Sequence, residues 1–369
     1  MQANPIRVGL IGYGFSGKTF HAPLIRAVPG LSLDAVASSD PKKVQLDLPG
    51  VAIYEDPFAL ARAENIDVVV IATPNTSHAP LARAALAAKK HVVIDKPFTL
   101  DLVEARDLIA QSKMMGLVLS VFHNRRWDSD FLTVRQAIKQ GMVGAVIHYE
   151  SHIDRFRPEV RDRWREDGGP GSGVWFDLGP HLVDQALQLF GLPDRVQANL
   201  ARQRPGSRTD DWAHVVLEYG AHRAILHASM VAAGGTSRFI VHGDAGSIVK
   251  RDVDLQEKQL LSGMRPGEAG WGEDPNALIA YDRSGEQRIV PATRGDQRLY
   301  YAGLVEALNG STAGWVTPIQ ALAVMAVVEA AVDSARSRNS AELPLTVEER
   351  GSWVRPGPAD QPRGALAIG

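Results

Sequence analysis

The 369-residue chain contains no cysteine, which removes disulfides, thiolate nucleophiles and cysteine-ligated zinc or iron–sulfur clusters. It has no large excess of either charge: 40 Lys and Arg stand against 42 Asp and Glu, a formal net charge of −2. No global field therefore draws nucleic acid or an anionic membrane, and a small molecule is the expected partner. No uninterrupted apolar run reaches about 18 residues, so no transmembrane helix is expected. The opening "MQANPIRVGLIGYG" enters an apolar strand without the basic region and apolar core of a signal peptide. A cytoplasmic protein is the resulting expectation. Internal repeats are also lacking.

What is present is ordinary globular composition, 45% hydrophobic and 22% charged, in a chain whose length suits two domains. The first third alternates Val/Ile/Leu runs ("IRVGLIG", "LSLDAVASS", "IDVVVIATP", "KHVVIDKP", "GLVLSVFHN") with helix-length segments such as "HAPLARAALAAKK". Continuous apolar runs of this kind read as parallel strands covered on both faces. From about residue 123 the pattern changes. "AVIHYESHIDRF", "HVVLEYG", "RAILHASMV" and "RFIVHG" alternate apolar and polar residues, as one-sided antiparallel strands do. The expected fold class is α/β: an N-terminal doubly wound parallel sheet of Rossmann type over residues 1–122, then an α+β domain over 123–350 with an open, mostly antiparallel sheet. Residues 317–337 read as a strong helix with Pro318 near its start, and 351–369 as a frayed, Pro- and Gly-rich tail.

Three motifs carry chemistry. "GLIGYGFSGKTFHAPL" places Gly12, Gly14 and Gly17 in G-x-G-x-x-G between a strand and a helix. There glycine permits the turn and the close approach of backbone to a pyrophosphate at a helix N-terminus. Phe15 and Ser16 lie inside this loop and join the expected cofactor contacts. The second strand ends "VASSDPKKV". Ser38 and Ser39 occupy its tip, with Lys42 and Lys43 following, so hydroxyls and ammonium groups suit a 2′-phosphate and NADP is preferred. Asp40, slightly late for the ribose-binding acid, keeps NAD possible. "ATPNTSH" sets Thr73, Pro74, Asn75 and His78 at the carboxyl edge of the sheet, where ligands bind in such folds.

The second motif is Asp95-Lys96-Pro97 at the end of a strand. A lysine beside a dinucleotide cleft can hydrogen-bond the oxygen whose carbon exchanges hydride. The third is "WFDLGPHLVDQ". As a helix it puts Asp177, His181 and Asp184 on one face, with Leu182, Ala186, Leu189 and Phe190 opposite. Such a face could be solvated, hold a metal, or do acid–base work. One histidine with two carboxylates and no second histidine in a ligand spacing argues against a metal, so none is assigned.

In this order and spacing, G-x-G-x-x-G, D-K-P and D-x-x-x-H-x-x-D resemble the Gfo/Idh/MocA oxidoreductase family over nearly the whole chain. "SVFHNRRWDSDFLT", "RFRPEVRDRWRE", "DLGPHLVDQALQLFGLP" and "GWGED" are similar to its bacterial NADP-dependent scyllo-inositol 2-dehydrogenase group. The resemblance implies Lys96, Asp177 and His181 as catalytic residues, with His181 exchanging the hydroxyl proton and Asp177 holding the imidazole or a substrate hydroxyl. It also implies Asn124, Arg125, Trp164 and Arg165 near the nicotinamide end, Lys96 among the cofactor contacts, and a homodimer or homotetramer. Asp95 departs from the commoner Glu before Lys-Pro, which leaves the partner of that carboxylate open. The implied reaction is oxidation of a cyclic polyol or sugar, scyllo-inositol foremost. An aldose 1-dehydrogenase and a non-catalytic dinucleotide sensor remain alternatives.

Overall fold

Runs of Val, Ile, Leu and Ala with no polar interruption become strands buried on both faces. In the computed structural model, which describes residues 4–310 and 316–353, six such runs form one parallel sheet. They are β1 (Ile6–Ile11), β2 (Leu31–Ala37), β3 (Ala52–Tyr54), β4 (Val68–Ile71), β5 (His91–Ile94) and β6 (Leu119–Val121), in the order β3-β2-β1-β4-β5-β6. That is the doubly wound arrangement, and its order reverses at β1/β4, where ligands of such sheets bind. Both of these strands deliver their following loops to the same carboxyl edge.

The covering of the sheet is not all local. On one face the helices His78–Ala87 and Leu102–Met114 are joined by Ala321, Leu322, Met325 and Ala326 from the helix Pro318–Ser337. On the other, Leu24, Ile25 and Val44 are joined by Tyr300, Tyr301 and Leu304 from the helix Arg298–Leu308. The chain thus returns to finish the core of its first sheet about 180 residues after leaving it, as the span from Val121 to Arg298 shows. Pro318–Ser337 is long and apolar enough by composition to cross a membrane, yet 67% of its apolar window is buried inside the fold.

The second sheet has eight strands: β7 (Val146–Asp154), β8 (Arg195–Ala201), β9 (Trp212–Tyr219), β10 (His222–Ser229), β11 (Phe239–Gly243), β12 (Gly246–Lys250), β13 (Leu278–Asp282) and β14 (Gln287–Val290). Their order is β14-β13-β12-β11-β7-β10-β9-β8, and only β7 with β10 is parallel. Alternation does what period 2 requires. Tyr149, Ile153, Val215, Leu217, Ala224 and Leu226 are buried in the core with the helix Val174–Phe190, while His148, Glu150, His152, His214 and His227 take the opposite face and are half-buried. From the same side of Pro318–Ser337 that meets this core come Ala323, Val324, Val327 and Val328. One helix therefore packs into both cores.

The segment read as a tail starts later than its composition suggests. Thr346 and Glu349 form a reciprocal capping box that begins the helix Val347–Ser352, and Trp353 packs on the second core. Residues 354–369 of that expected tail lie outside the described residues.

Candidate active site

The glycine loop follows β1 directly. Gly12 has φ +98°, and a Cβ there would collide with the Ala72 carbonyl at the end of β4. A Cβ on Gly17 would overlap the Gly12 carbonyl, so the first and third glycines are fixed by how closely the chain folds on itself. Gly14 differs: a Cβ there would meet nothing within 4 Å. Its open side is the kind of cradle a pyrophosphate fills, at the start of the helical turn closed by the Lys18 N–H on Gly14 O. Lys43 reaches back to this loop, its Nζ donating to Tyr13 O at 3.1 Å. Asp40 accepts the Lys43 N–H and so caps the helix Pro41–Asp47, while the Asp40 N–H donates to Ser38 Oγ at 3.1 Å. The acid that kept NAD possible is thus engaged as a helix cap, and Ser39 beside it is exposed.

At the end of β4, Asn75 is buried and donates to Gly171 O at 2.9 Å, tying the sheet edge to the glycine-rich loop that precedes the helix Val174–Phe190. Thr73 Oγ1 accepts from Ser77. His78 lies elsewhere than its spacing suggested. It is fully buried, with its ring nitrogens 2.9 Å from Pro97 O and 3.0 Å from Thr73 O. Instead of facing a cofactor, it braces two loops from behind.

Asp95 is buried at the end of β5 and accepts the Lys96 N–H at 2.8 Å. Its partner is His21, whose Nε2 stands 3.8 Å away and whose Nδ1 is 2.7 Å from Tyr301 Oη. Burial alone would raise the Asp95 pKa, but His21, Lys96 and Ser16 hold the carboxyl well below the usual range.

Lys96 and the helix Val174–Phe190 then meet. The helix is placed by Asp210, which accepts the Val174 and Trp175 N–H groups at 2.9 and 2.7 Å, and by Trp175 Nε1 on Val328 O. Lys96 Nζ donates to Asp177 O at 2.7 Å and to Asp177 Oδ1 at 2.9 Å. An ammonium has three donors, so one remains for a substrate oxygen. Asp177 also faces Arg165 at 3.3 Å and Arg155 at 3.8 Å. Burial pushes its carboxyl up, yet Lys96, then Arg165 and Arg155, carry it far below the ordinary carboxylate value. Asp177 therefore grips the lysine rather than the imidazole it was expected to support.

His181 lies one turn on, 6% exposed, with a buried Nδ1 that has no hydrogen-bond partner. Burial first, then the charges of Lys96 and Arg125, hold its pKa well below 6.5, so it is a neutral base. Lys96, Asp177 and His181 line one cavity of about 380 Å³, together with Phe15, Ser16, Asn124 and Arg125. Arg125 is fixed by Asp128 at 3.0 Å and Glu257 at 3.1 Å. Trp164 is not on this wall; it carries the Arg165 guanidinium 4.3 Å above its ring.

The second acid of the helix stands apart. Asp184 is buried against Arg126, which grips it at 2.6 and 2.9 Å and also donates to Gln320 Oε1 at 2.8 Å. The polar face of this helix is not solvated. Its first turns line the cavity and its later ones hold the two cores together.

Two features near the site escaped the motif reading. His123, just past β6, is 2% exposed with neither ring nitrogen partnered, and burial lowers its pKa to about 4. Its position beyond a strand's carboxyl end was the available signal. The second is the wall Arg155, Arg157, Arg161 and Arg163, in a run noted only as a likeness.

Comparison with known proteins agrees with this fold. Residues 6–123 match "Oxidoreductase family, NAD-binding Rossmann fold", and residues 135–343 match "Oxidoreductase family, C-terminal alpha/beta domain", the two halves of Gfo/Idh/MocA proteins. The chain belongs to the Gfo/Idh/MocA family. It is a dehydrogenase of the kind that acts on CH–OH groups with a nicotinamide cofactor. Among Gfo/Idh/MocA relatives, the uncharacterized oxidoreductase YdgJ of Escherichia coli is 51% identical, over 91% of this chain and 98% of its own. The scyllo-inositol 2-dehydrogenase (NADP(+)) IolW of Bacillus subtilis is 33% identical, over 93% and 97%. A crystal structure from Klebsiella pneumoniae, 57% identical, superimposes with a TM-score of 0.90 over 95% of this chain and 98% of that one.

Proposed function

We propose that the protein is an NADP-dependent dehydrogenase of cyclic polyols, scyllo-inositol foremost, acting in the cytoplasm as a homodimer or homotetramer. The observation that carries the reading is the pairing of Lys96 with an unpartnered, neutral His181 on one cavity wall. When bound, the nicotinamide supplies the hydride acceptor. The free N–H of Lys96 holds the reacting oxygen and stabilises the negative charge it develops. His181 takes the hydroxyl proton, and returns it when a ketone is reduced. Asp177 aims the Lys96 ammonium. Preference for NADP is supported by Ser38, Ser39 and Lys43, by the engagement of Asp40 as a cap, and by the cofactor named for IolW. Phe15, Ser16, Thr73, Pro74, Asn124 and Arg125 complete the cofactor side of this proposal.

A second reading in the same family has its own observation. Among the described residues, neither Arg157 nor Arg161 has a carboxylate within ion-pair distance, although both face the cavity. A sugar bearing an acid group would complement them. The test is a screen of nicotinamide reduction across inositols, aldoses and uronates with NAD and with NADP. The proposal expects the highest kcat/KM for an inositol with NADP. It also expects loss of turnover in Lys96→Ala and His181→Ala with NADP binding kept within a few-fold. A uronate preferred over every inositol would move the assignment to the second reading, and no turnover of any substrate would point to a dinucleotide sensor.

A further inference from the structure

Five histidines gather on the open face of the second sheet. Strand register explains the row. The parallel β7–β10 pair sets His227 beside His152, and the antiparallel β9–β10 pair sets His214 beside His227. Neighbouring strands are about 4.8 Å apart, so the three rings stand side by side. Asp154 lies two residues along β7 from His152 and so on the same face.

We propose that His152, Asp154 and His227 form a site for a borderline divalent cation of the zinc class. One ligand atom from each lies within 4.8 Å of the other two, and His227 Nε2 is 3.8 Å from Asp154 Oδ1. Ligand atoms of a tetrahedral site with bonds of about 2.0–2.1 Å stand roughly 3.3 Å apart, so small side-chain rotations close the set.

The orphaned atoms point the same way. Asp154 has a side chain only 4% exposed; its Oδ2 accepts from Thr236 Oγ1 at 2.6 Å, while its buried Oδ1 has no hydrogen-bond partner. A buried carboxylate oxygen left bare costs free energy unless a cation meets it. His152 shows the matching feature. Its Nε2 is 2.8 Å from Glu150 Oε2, and its buried Nδ1 has no partner. A neutral ring that donates from Nε2 carries its lone pair on Nδ1. His227 has Nδ1 3.4 Å from His214 Nδ1, which leaves Nε2 toward Asp154. Each ligand histidine thus has its other nitrogen engaged by a neighbour, the arrangement that orients metal-bound imidazoles.

Two imidazoles and one carboxylate leave a fourth position for water, and hard six-oxygen ions find too few oxygens here. The cation would fasten β7 to β10, the one parallel pair of this sheet.

The full chain, stripped with chelator, is titrated with Zn(II) by calorimetry and with Co(II) by visible d–d absorption, neither of which needs turnover. The expected result is one ion per chain and a tetrahedral cobalt spectrum. His152→Ala, Asp154→Asn and His227→Ala should each weaken binding by at least about 100-fold, and Glu150→Gln by roughly 10–100-fold while preserving the packing. His242→Ala, which alters a histidine of the same face bound to Ser247, should bind as wild type. Wild-type affinity no better than that of His152→Ala and Glu150→Gln, or an equal loss in His242→Ala, overturns the site.

Discussion

Asp177 and Asp184 stand two turns apart on one helix and should fail in opposite ways when altered. Asp184→Ala leaves the Arg126 guanidinium, 7% exposed, without the carboxylate that its Nε and Nη2 grip, and with only Gln320 on Nη1. Removing one member of a buried ion pair costs on the order of 3–5 kcal/mol, and the surviving Gln320 contact argues for the lower end, about 3 kcal/mol. That is a large part of the roughly 5–15 kcal/mol that holds a domain folded. Asp177→Asn keeps an acceptor for Lys96 but removes the charge beside it, so its cost to stability should be about 2 kcal/mol, that of a hydrogen bond to a charged group. Its cost to turnover should instead be about 100-fold, because Lys96 loses the group that aims it. Urea unfolding followed by tryptophan fluorescence, with NADP-linked turnover measured on the folded fraction, checks both. The reasoning fails if Asp177→Asn is the less stable variant, or if folded Asp184→Ala loses as much turnover as Asp177→Asn.

Further expectations concern pH and the cofactor. His123 is held at a pKa of about 4 against an ordinary 6.5, so the unfolded chain binds its proton first as pH falls. Stability from this group is fully present above pH 6.5 and declines as pH drops toward about 4. The loss amounts to about 3 kcal/mol at 1.36 kcal/mol per pKa unit. His123→Gln should flatten that slope by one proton in urea unfolding across the window, and an unchanged slope would rule the group out. Lys43→Glu should lower kcat/KM for NADP at least about tenfold relative to NAD, a change of about 1.4 kcal/mol; an unaltered ratio in steady-state assays would remove Lys43 from the 2′-phosphate reading.

The first sheet was readable because its signals are local. Unbroken apolar runs, the three glycines and the Lys96 position all follow from short windows, and the strand order matches the expected doubly wound class. What escaped was long-range. Nothing near His78 announces that Pro97 O and Thr73 O would take both ring nitrogens. Period 3.6 grouped Asp177 with Asp184 correctly on one face, but only tertiary packing decides that one lines a cavity while the other meets Arg126. The row His152, His227, His214 is likewise invisible in spacing, since the β7–β10 register that joins His152 to His227 pairs residues some 75 apart in the chain.

The shared helix Pro318–Ser337 sets a constraint on synthesis. A ribosome releases the first sheet long before it makes the residues that complete its core, because Tyr300, Tyr301, Leu322 and Met325 all come from the last fifth of the chain. Until then the nascent sheet exposes apolar surface on both faces, the condition under which intermediates aggregate. A fragment ending at residue 122 would be held permanently at that stage. The two sheets must mature together, and chaperone demand should be set by how long the early one waits.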